Sequence, residues 1–517
     1  MERYFLIGWS LWLGVSLFLA PHSKVEESFL TAAIYDLKMG TGLSESDRMV
    51  MPDWVKRSSL PAYIVSGLWR VVTAVIPIAD HYLVPRAITG TLMAIGFWHL
   101  ATELQKRVSA LSSTLFTFLC MSQFHIPFYS SRLLVNTFGL LFSLLGIILY
   151  LRDPNSLKAL GWIVFSSFAL RLDLFPIAVG LGLDYLIFQT HGNIAMRFLQ
   201  GVSIGTIGLA AAALVAVPLD SLFWSSFTKL EWAELSVILF NVFENKSHMW
   251  GVSPWHWYVT NALPRAIGPP IALLLYPSRW SPEALRLLLS TVVVPVSILS
   301  LVGHKELRFI FPSIVALTVV IAIRACELPT RFRRWILLPL ILANAASSSV
   351  RLVASATNYP GGEAWEALSQ FFNNGISLSP VILPGAARLL PSGFLQLSPP
   401  TFTLPGLDNR LEIPSCSIYN GYLADTTGYT KYFAPDVPCR IVREGDTMMD
   451  GVTKMPREER ERFTIQIVDM TDGLKSCDHP VSAIYGFDSV DVRSLKLVLK
   501  PVILICHSRG SIRGVSA

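Results

Sequence analysis

Apolar segments long enough, or nearly long enough, to cross a lipid bilayer recur along most of this sequence. About eleven of them precede residue 351, each close to the roughly 20 residues that a transmembrane helix needs. Hydrophobic residues make up 52% of the chain and charged residues 15%, whereas a soluble chain carries about 25% charged residues. The sequence therefore predicts an all-α polytopic membrane bundle, with apolar runs at 4–21, 61–79, 85–101, 108–127, 134–151, 160–188, 200–218, 260–277, 285–302, 308–326 and 335–350.

Short basic loops indicate the orientation of such a bundle, because lysine and arginine are enriched on the cytosolic side. The densest basic segment, Arg331–Arg334, lies between the last two apolar runs and is assigned to the cytosol. Residues 303–308 are then lumenal. The sequence thus predicts a multi-span region at 1–350 with a lumenal loop at 22–60, followed by a lumenal region at 351–517.

The tail differs in composition from the rest of the chain. Frequent prolines interrupt any long helix after residue 351, and alternating runs such as Phe463–Val468 are typical of strands. We expect a small domain of mixed or β character. Its cysteines are too far apart for a zinc motif and predict one or two disulfides in an oxidising compartment: Cys416, Cys439, Cys477 and Cys506.

Several functional classes are excluded by what the sequence lacks. The net charge of +6 is small and dispersed, which argues against binding to nucleic acid. No P-loop, GxGxxG, HExxH or DxD motif is present, so a nucleotide donor is not expected, and neither a cofactor nor a metal is predicted.

Two adjacent carboxylates, Glu26 and Glu27, lie just after the first apolar run. Adjacent residues point in different directions, so one could face a cleft while the other pairs with Lys24. The alternative is structural: Ser23 as N-cap and Glu26 at the third position would form a capping box on a helix over residues 26–36. Spacing alone favours this capping role.

A second polar segment, residues 303–309, separates two later apolar runs. On a helix His304 and Arg308 would share one face and could bind a phosphate together. Alternatively they flank a helix end, with Glu306 neutralising Lys305 or Arg308. Two further polar pairs lie inside apolar runs: Arg171 with Asp173, and Arg132 with Asn136. A structural role for these pairs is at least as well supported as a catalytic one. The aromatic stretch 250–258 either stacks on sugars or anchors a helix at the bilayer interface.

Taken in order, these segments resemble the dolichyl-phosphate-mannose-dependent mannosyltransferases of glycosyltransferase family 22. The resemblance covers about two thirds of the chain and is weak in the tail. The matching pieces include KVEESF (24–29), SQFH (122–125), NTFG (136–139), LDSLFW (219–224), WGVSP (250–254), LPR (263–265), HKELRF (304–309) and NYPGG (358–362).

The resemblance implies a glycosyltransferase C-class fold in the endoplasmic reticulum membrane, with the active site facing the lumen. It further implies an inverting transfer of mannose from dolichyl phosphate mannose to a dolichol-pyrophosphate-linked seven-mannose oligosaccharide through an α-1,6 linkage. The acceptor hydroxyl needs a general base, for which we select Glu26 first and Glu27 second. The leaving phosphate would be stabilised by the basic side chains His304, Lys305, Arg308 and Arg265. The acceptor path would be lined by Trp250 and Trp255.

The chain departs from the family pattern at residues 51–58, where an expected glycine and a second proline are missing. This difference affects the fit of the acceptor more than it affects the base. Three other hypotheses remain open: an α-1,2-mannosyltransferase acting on the same lipid or on a glycolipid anchor precursor, a transporter of lipid-linked substrates, and a catalytically silent scaffold. A transfer assay with defined acceptors separates them.

Overall fold

The computed structural model describes the backbone of most of the chain before residue 375 and the strands of the tail. The described residues are 2–23, 25–40, 56–77, 83–240, 251–374, 381–383, 395–397, 416–420, 439–443, 465–469, 479–491 and 496–507. They form two compact units. The first unit comprises residues 1–15 and 33–349, and the second comprises residues 16–32 and 350–517. The segment 16–32, which the sequence analysis assigned to the multi-span region, therefore groups with the tail.

The described part of the chain before the tail is helical. Its α-helices are α1 (Glu2–Leu19), α2 (Val25–Met39), α3 (Leu60–Val75), α4 (Val84–Arg107), α5 (Ala110–Ser122), α6 (His125–Ser130), α7 (Val135–Arg152), α8 (Lys158–Ala169), α9 (Phe175–Phe188), α10 (Ile194–Ser225), α11 (Ala233–Ile238), α12 (Leu263–Ile267), α13 (Pro282–Leu288), α14 (Val294–Ser300), α15 (Phe311–Glu327), α16 (Thr330–Ala356) and α17 (Pro360–Asn374).

Five helical segments among these residues are long and apolar enough to cross a membrane. They coincide with five predicted runs: Val135–Arg152, Ile194–Ser225, Pro282–Ser300, Leu307–Glu327 and Thr330–Ala356. Three other predicted spans are interrupted. The run 108–127 breaks at residues 123–124, between α5 and α6. The run 160–188 breaks between α8 and α9, where the charged pair Arg171 and Asp173 lies, and the run 260–277 is divided among short helical turns around Gly268, whose φ of 73° ends α12.

The core of the first unit is built around α15. Its residues from Phe311 to Ala325 are all buried, as expected of a helix that is apolar on every side and surrounded by protein. Its few polar groups find partners on neighbouring segments, because the Ser313 hydroxyl donates to the Thr291 carbonyl (2.7 Å) and Gln123 donates to the Thr318 hydroxyl (3.0 Å). Large apolar side chains remain exposed along α10, as on a surface solvated by lipid.

The second unit combines the start of α2 with α17 and a mixed sheet. Among the described strands the order is β1-β6-β7-β5-β3-β4, with β2 also paired to β7. Strands β6 and β7 form the long antiparallel pair. Strand β5 confirms the predicted run at 463–468 over its described residues 465–468. Cys506 is buried in β7 and disulfide-bonded, as predicted for the tail. The strands are β1 (Val381–Ile382), β2 (Leu395–Leu397), β3 (Cys416–Asn420), β4 (Cys439–Arg443), β5 (Ile465–Asp469), β6 (His479–Asp491) and β7 (Lys496–His507).

The packing of α8 against α10 depends on a missing side chain. A Cβ atom at Gly208 would lie 2.5 Å from the carbonyl oxygen of Gly161, whereas a Cβ at Gly205, on the same helix, would meet nothing within 4 Å. Small residues allow such close approach between helices in a membrane.

We therefore expect Gly208→Ala to destabilise the protein by about 1–3 kcal/mol through overpacking against rigid backbone. Gly205→Ala is the matched control and should be neutral or stabilising by up to about 1 kcal/mol, because alanine favours the helix. Thermal unfolding of both variants in detergent measures the difference. Equal stability of the two would contradict the close contact between the helices.

Candidate active site

The adjacent carboxylates of the predicted base lie in the first turn of α2. Glu26 is exposed and Glu27 is only 5% exposed, so the two side chains do point in different directions. The described part of α2 begins at Val25, and Lys24 lies outside the described residues. The capping box of Ser23 and Glu26 therefore stays a prediction. Negative charge in a first turn is stabilised by the helix dipole.

The predicted helical face carrying His304 and Arg308 does not form. Glu306 has an extended backbone (φ −132°, ψ 149°), and a short 3-10 helix spans only Leu307–Ile310. His304 and Arg308 instead meet at the Glu306 carboxylate, where each lies 2.8 Å from the Oε1 atom.

Glu306 is thus held between the His304 imidazole and the Arg308 guanidinium. Burial alone would raise the pKa of the Glu306 carboxyl. The hydrogen bond from His304 and the charge of Arg308 have the larger, opposite effect, so the pKa lies below its ordinary value. The predicted neutralisation of Arg308 by Glu306 is confirmed, since the Arg308 Nε atom lies 2.5 Å from Glu306 Oε2.

The remaining predicted cations lie in different surroundings. Lys305 is buried, and its Nζ donates to the carbonyl oxygens of Ser253 (3.0 Å) and Val302 (2.5 Å). Arg265 is exposed on α12 and donates to Asn261 (3.1 Å). The structure therefore brings together His304 and Arg308 through Glu306, but directs Lys305 to the backbone.

The structure describes one of the two tryptophans that were predicted to line the acceptor path. Trp255 is 73% exposed, and its ring contacts the His256 ring edge-on. An exposed indole of this kind can stack on a sugar or lie at the bilayer interface. Trp250 lies outside the described residues.

Glu306 belongs to a larger group of buried and half-buried charges, here termed the charge cluster, which no pattern in the sequence revealed. The Arg171 guanidinium lies 3.1 Å from Asp173 Oδ2, to which Asn136 also donates (2.7 Å). The backbone N–H of Leu172 donates to Glu234 Oε2 (2.7 Å). The members of the charge cluster are Arg57, Arg171, Asp173, Glu234, Glu306 and Arg308, which interact electrostatically with one another.

Two members of the charge cluster have shifted pKa values for opposite reasons. Burial, together with the positive charges of Arg171 and Arg308, lowers the pKa of Arg57 to about 10. Burial raises the pKa of Glu234 to about 7, although the charge of Arg171 and the Leu172 amide favour its ionised form. When Glu234 is protonated, three guanidinium groups face two carboxylates. The charge cluster then has an excess of positive charge that suits an anionic ligand.

The end of α10 holds both Arg57 and Glu234 in this group. The Trp224 indole donates to the Arg57 carbonyl oxygen (3.0 Å). Asp220 Oδ1 accepts from the backbone N–H (3.0 Å) and the hydroxyl (2.7 Å) of Ser59, and its Oδ2 accepts from the N–H of Ala233 (2.9 Å). The motif LDSLFW thus fixes two distant loops. The only signal of the role of Glu234 in the sequence was its position as a charged residue in a largely apolar stretch.

The model of the Alg9-like mannosyltransferase family matches residues 55–360 of the chain, from the Arg57 loop to the proline of the NYPGG motif. The chain belongs to this family. The predicted resemblance is confirmed. All the members of the charge cluster, and the residues of α10 that hold it, lie within the matched residues.

Two relatives align with most of this Alg9-like chain. The Arabidopsis thaliana Dol-P-Man:Man(7)GlcNAc(2)-PP-Dol alpha-1,6-mannosyltransferase is 28% identical over 384 residues, which cover 70% of this chain and 74% of that protein. A Schizosaccharomyces pombe protein, whose name gives the same reaction, is 30% identical over 372 residues, covering 70% of this chain and 66% of that protein. The chain therefore spans just under two thirds of the fission-yeast relative.

A solved structure shares the fold. ArnT from Cupriavidus metallidurans in its apo state superposes with a TM-score of 0.58 over 97% of each chain, at 10% sequence identity. Identity this low supports the fold alone. The predicted helical membrane bundle of the glycosyltransferase C class, with a small C-terminal domain containing strands, is confirmed.

The pKa of Glu234 predicts a pH dependence of stability. The pKa lies above its usual value near 4.5, at about 7 in the folded protein. The folded state therefore binds more protons between these pH values, and the free energy of unfolding falls as the pH rises from about 5 to 7, by roughly 3 kcal/mol in total. Glu234→Gln should not show this loss. Its stability relative to that of the native chain should therefore be greater at pH 8 than at pH 5.

Thermal unfolding of the native chain and Glu234→Gln at both pH values measures this effect. Glu231→Gln is the control, because Glu231 pairs with Lys56 (2.7 Å) at a partly exposed position nearby, and it should keep the native pH dependence. Identical pH profiles for native chain and Glu234→Gln would show that this carboxyl does not titrate in that range.

Proposed function

We propose that the chain transfers mannose from dolichyl phosphate mannose to a dolichol-pyrophosphate-linked seven-mannose oligosaccharide, forming an α-1,6 linkage. The observation that carries the proposal is the alignment of 70% of the chain with two relatives that are both named for this reaction. We further propose that the protein resides in the endoplasmic reticulum membrane with its active site facing the lumen, where these lipid-linked substrates would meet it.

Glu26 is proposed as the general base. The acceptor hydroxyl attacks C1 of the donor mannose, its proton passes to the Glu26 carboxylate, and the C1–O bond breaks with its electron pair leaving on dolichyl phosphate. The exposure of Glu26 supports this role, because a base must reach the hydroxyl within hydrogen-bond distance. The burial of Glu27 supports a positioning role for that side chain instead.

His304 and Arg308 are proposed to bind the donor phosphate, with Arg57 as a further cation of the same charge cluster. A phosphate leaving group needs its developing charge matched by fixed positive groups. Both His304 and Arg308 are oriented by Glu306, which keeps two long side chains in defined positions before a substrate binds. The contacts of Lys305 with backbone carbonyls support a structural role for it.

The base assignment is tested by transfer of mannose from dolichyl phosphate mannose to the seven-mannose lipid-linked acceptor. We expect Glu26→Gln to lower the transfer rate at least ~100-fold, because a general base is lost. Glu27→Gln is the matched control and should retain most activity. If only Glu27→Gln is inactive, Glu27 is the base. A native chain inert on this acceptor but active on one that is extended through an α-1,2 linkage would refute the linkage.

The phosphate site is tested by the donor dependence of the same assay. Arg308→Gln should lower kcat/KM for dolichyl phosphate mannose by about 10²–10³-fold, as expected for loss of a preorganised charge. Arg107→Gln is a matched control, because Glu103 is held between Arg107 and Arg152 (each 3.0 Å) much as Glu306 is held between two basic side chains. Equal losses in the two variants would assign Arg308 a structural role only.

A further inference from the structure

A histidine and two glutamates converge in the second unit, outside the residues used above. His22 lies in the short segment between α1 and α2, and Glu363 and Glu366 lie on α17. Residues three apart on a helix share a face, so both carboxylates are directed toward the same side. One ligand atom from each of the three residues lies within 4.8 Å of the others.

The distances within this triad have the spacing of metal ligands. His22 Nε2 lies 3.4 Å from Glu363 Oε1 and 3.6 Å from Glu366 Oε2. Both separations exceed the usual 2.7–3.2 Å or so of an N–H···O hydrogen bond. Two ligands about 2.1 Å from a tetrahedral zinc ion are about 3.4 Å apart, which matches the observed spacing.

The surroundings also fit an ion. His22 is 3% exposed and Glu363 is 4% exposed, so two of the three candidate ligands are buried, where a bound cation would balance carboxylate charge. The Glu366 side chain is 46% exposed, which leaves a path for a cation and room for a water ligand. The other oxygen of Glu366 accepts a hydrogen bond from Gln370 (3.3 Å), an orienting contact typical of ligating carboxylates.

A glycine in the NYPGG motif makes this approach possible. A Cβ atom at Gly362 would overlap the ring of His22. Only a residue without a side chain lets the imidazole lie directly against the first turn of α17. The NYPGG motif therefore has a packing role beside the triad.

We propose that His22, Glu363 and Glu366 form a zinc site that ties the start of α2 to α17 within the second unit. Imidazole nitrogen and carboxylate oxygen both bind zinc, a water molecule can complete a tetrahedron around three protein ligands, and two carboxylates balance the charge of the ion. The ion would fix the segment immediately before Glu26 and Glu27. It stays on the protein and takes no part in bond making.

The test measures metal content and does not depend on the proposed reaction. The full chain, purified in detergent without a polyhistidine tag, is stripped with EDTA, equilibrated with ZnCl₂ and passed over a desalting column. Zinc is then quantified by mass spectrometry. We expect about one zinc ion per native chain and a rise in Tm of several degrees when ZnCl₂ is added to the stripped protein.

Matched variants distinguish a metal site from an ion pair. His22→Ala and Glu363→Gln should lose the bound zinc and the Tm rise. Asp488→Asn, which removes a carboxylate paired with Lys500 (2.6 Å) in the same unit, should retain both. If the buried variants do not fold, Glu366→Gln decides, because its half-exposed site tolerates change and zinc affinity should fall at least ~10-fold. Zinc content equal in the native chain and Glu366→Gln would overturn the proposal.

Discussion

Charges buried in a membrane bundle must be paired inside the protein, because lipid offers them neither water nor counter-ions. The charge cluster of the first unit meets this requirement through short contacts between Arg171 and Asp173 and between Glu306 and Arg308. The same requirement explains why the apolar run at 160–188 is not one helix. The chain leaves α-helical geometry at residues 170–174, which include a short 3-10 turn, and there Arg171 and Asp173 pair and the Leu172 amide binds Glu234.

Asp220 extends this pairing from side chains to loops. One carboxylate at the end of α10 accepts hydrogen bonds from Ser59 and from Ala233, so that the residues next to Arg57 and Glu234 are held by the same side chain. Carboxylates that accept backbone N–H groups hold loops more firmly than packing alone, because charged hydrogen bonds are about twice as strong as neutral ones. A motif that looks apolar in sequence thus organises the polar part of the unit.

The two sets of residues assigned to the proposed reaction meet different physical demands. A base must be exposed enough to reach a hydroxyl, as Glu26 is in the first turn of α2. A phosphate site requires cations that are fixed before the substrate arrives, and Glu306 supplies that order for His304 and Arg308. The carboxylate of Glu306 lowers the net positive charge of the phosphate site. Its benefit is geometric, because it restricts side chains that would otherwise occupy many rotamers.

The sequence by itself determined the membrane class, the family, the change of composition near residue 350 and the strand β5, since apolar run length, motif order and alternation are local properties. It also placed Glu26 and Glu27 beside a helix start and Glu306 beside two basic side chains. Only the tertiary structure decided that His304 and Arg308 meet at Glu306 without sharing a helix face, that Arg57 and Glu234 join them, and that His22 meets α17. These contacts join residues far apart in the chain, and local patterns carry no information about which distant charges will share one buried volume.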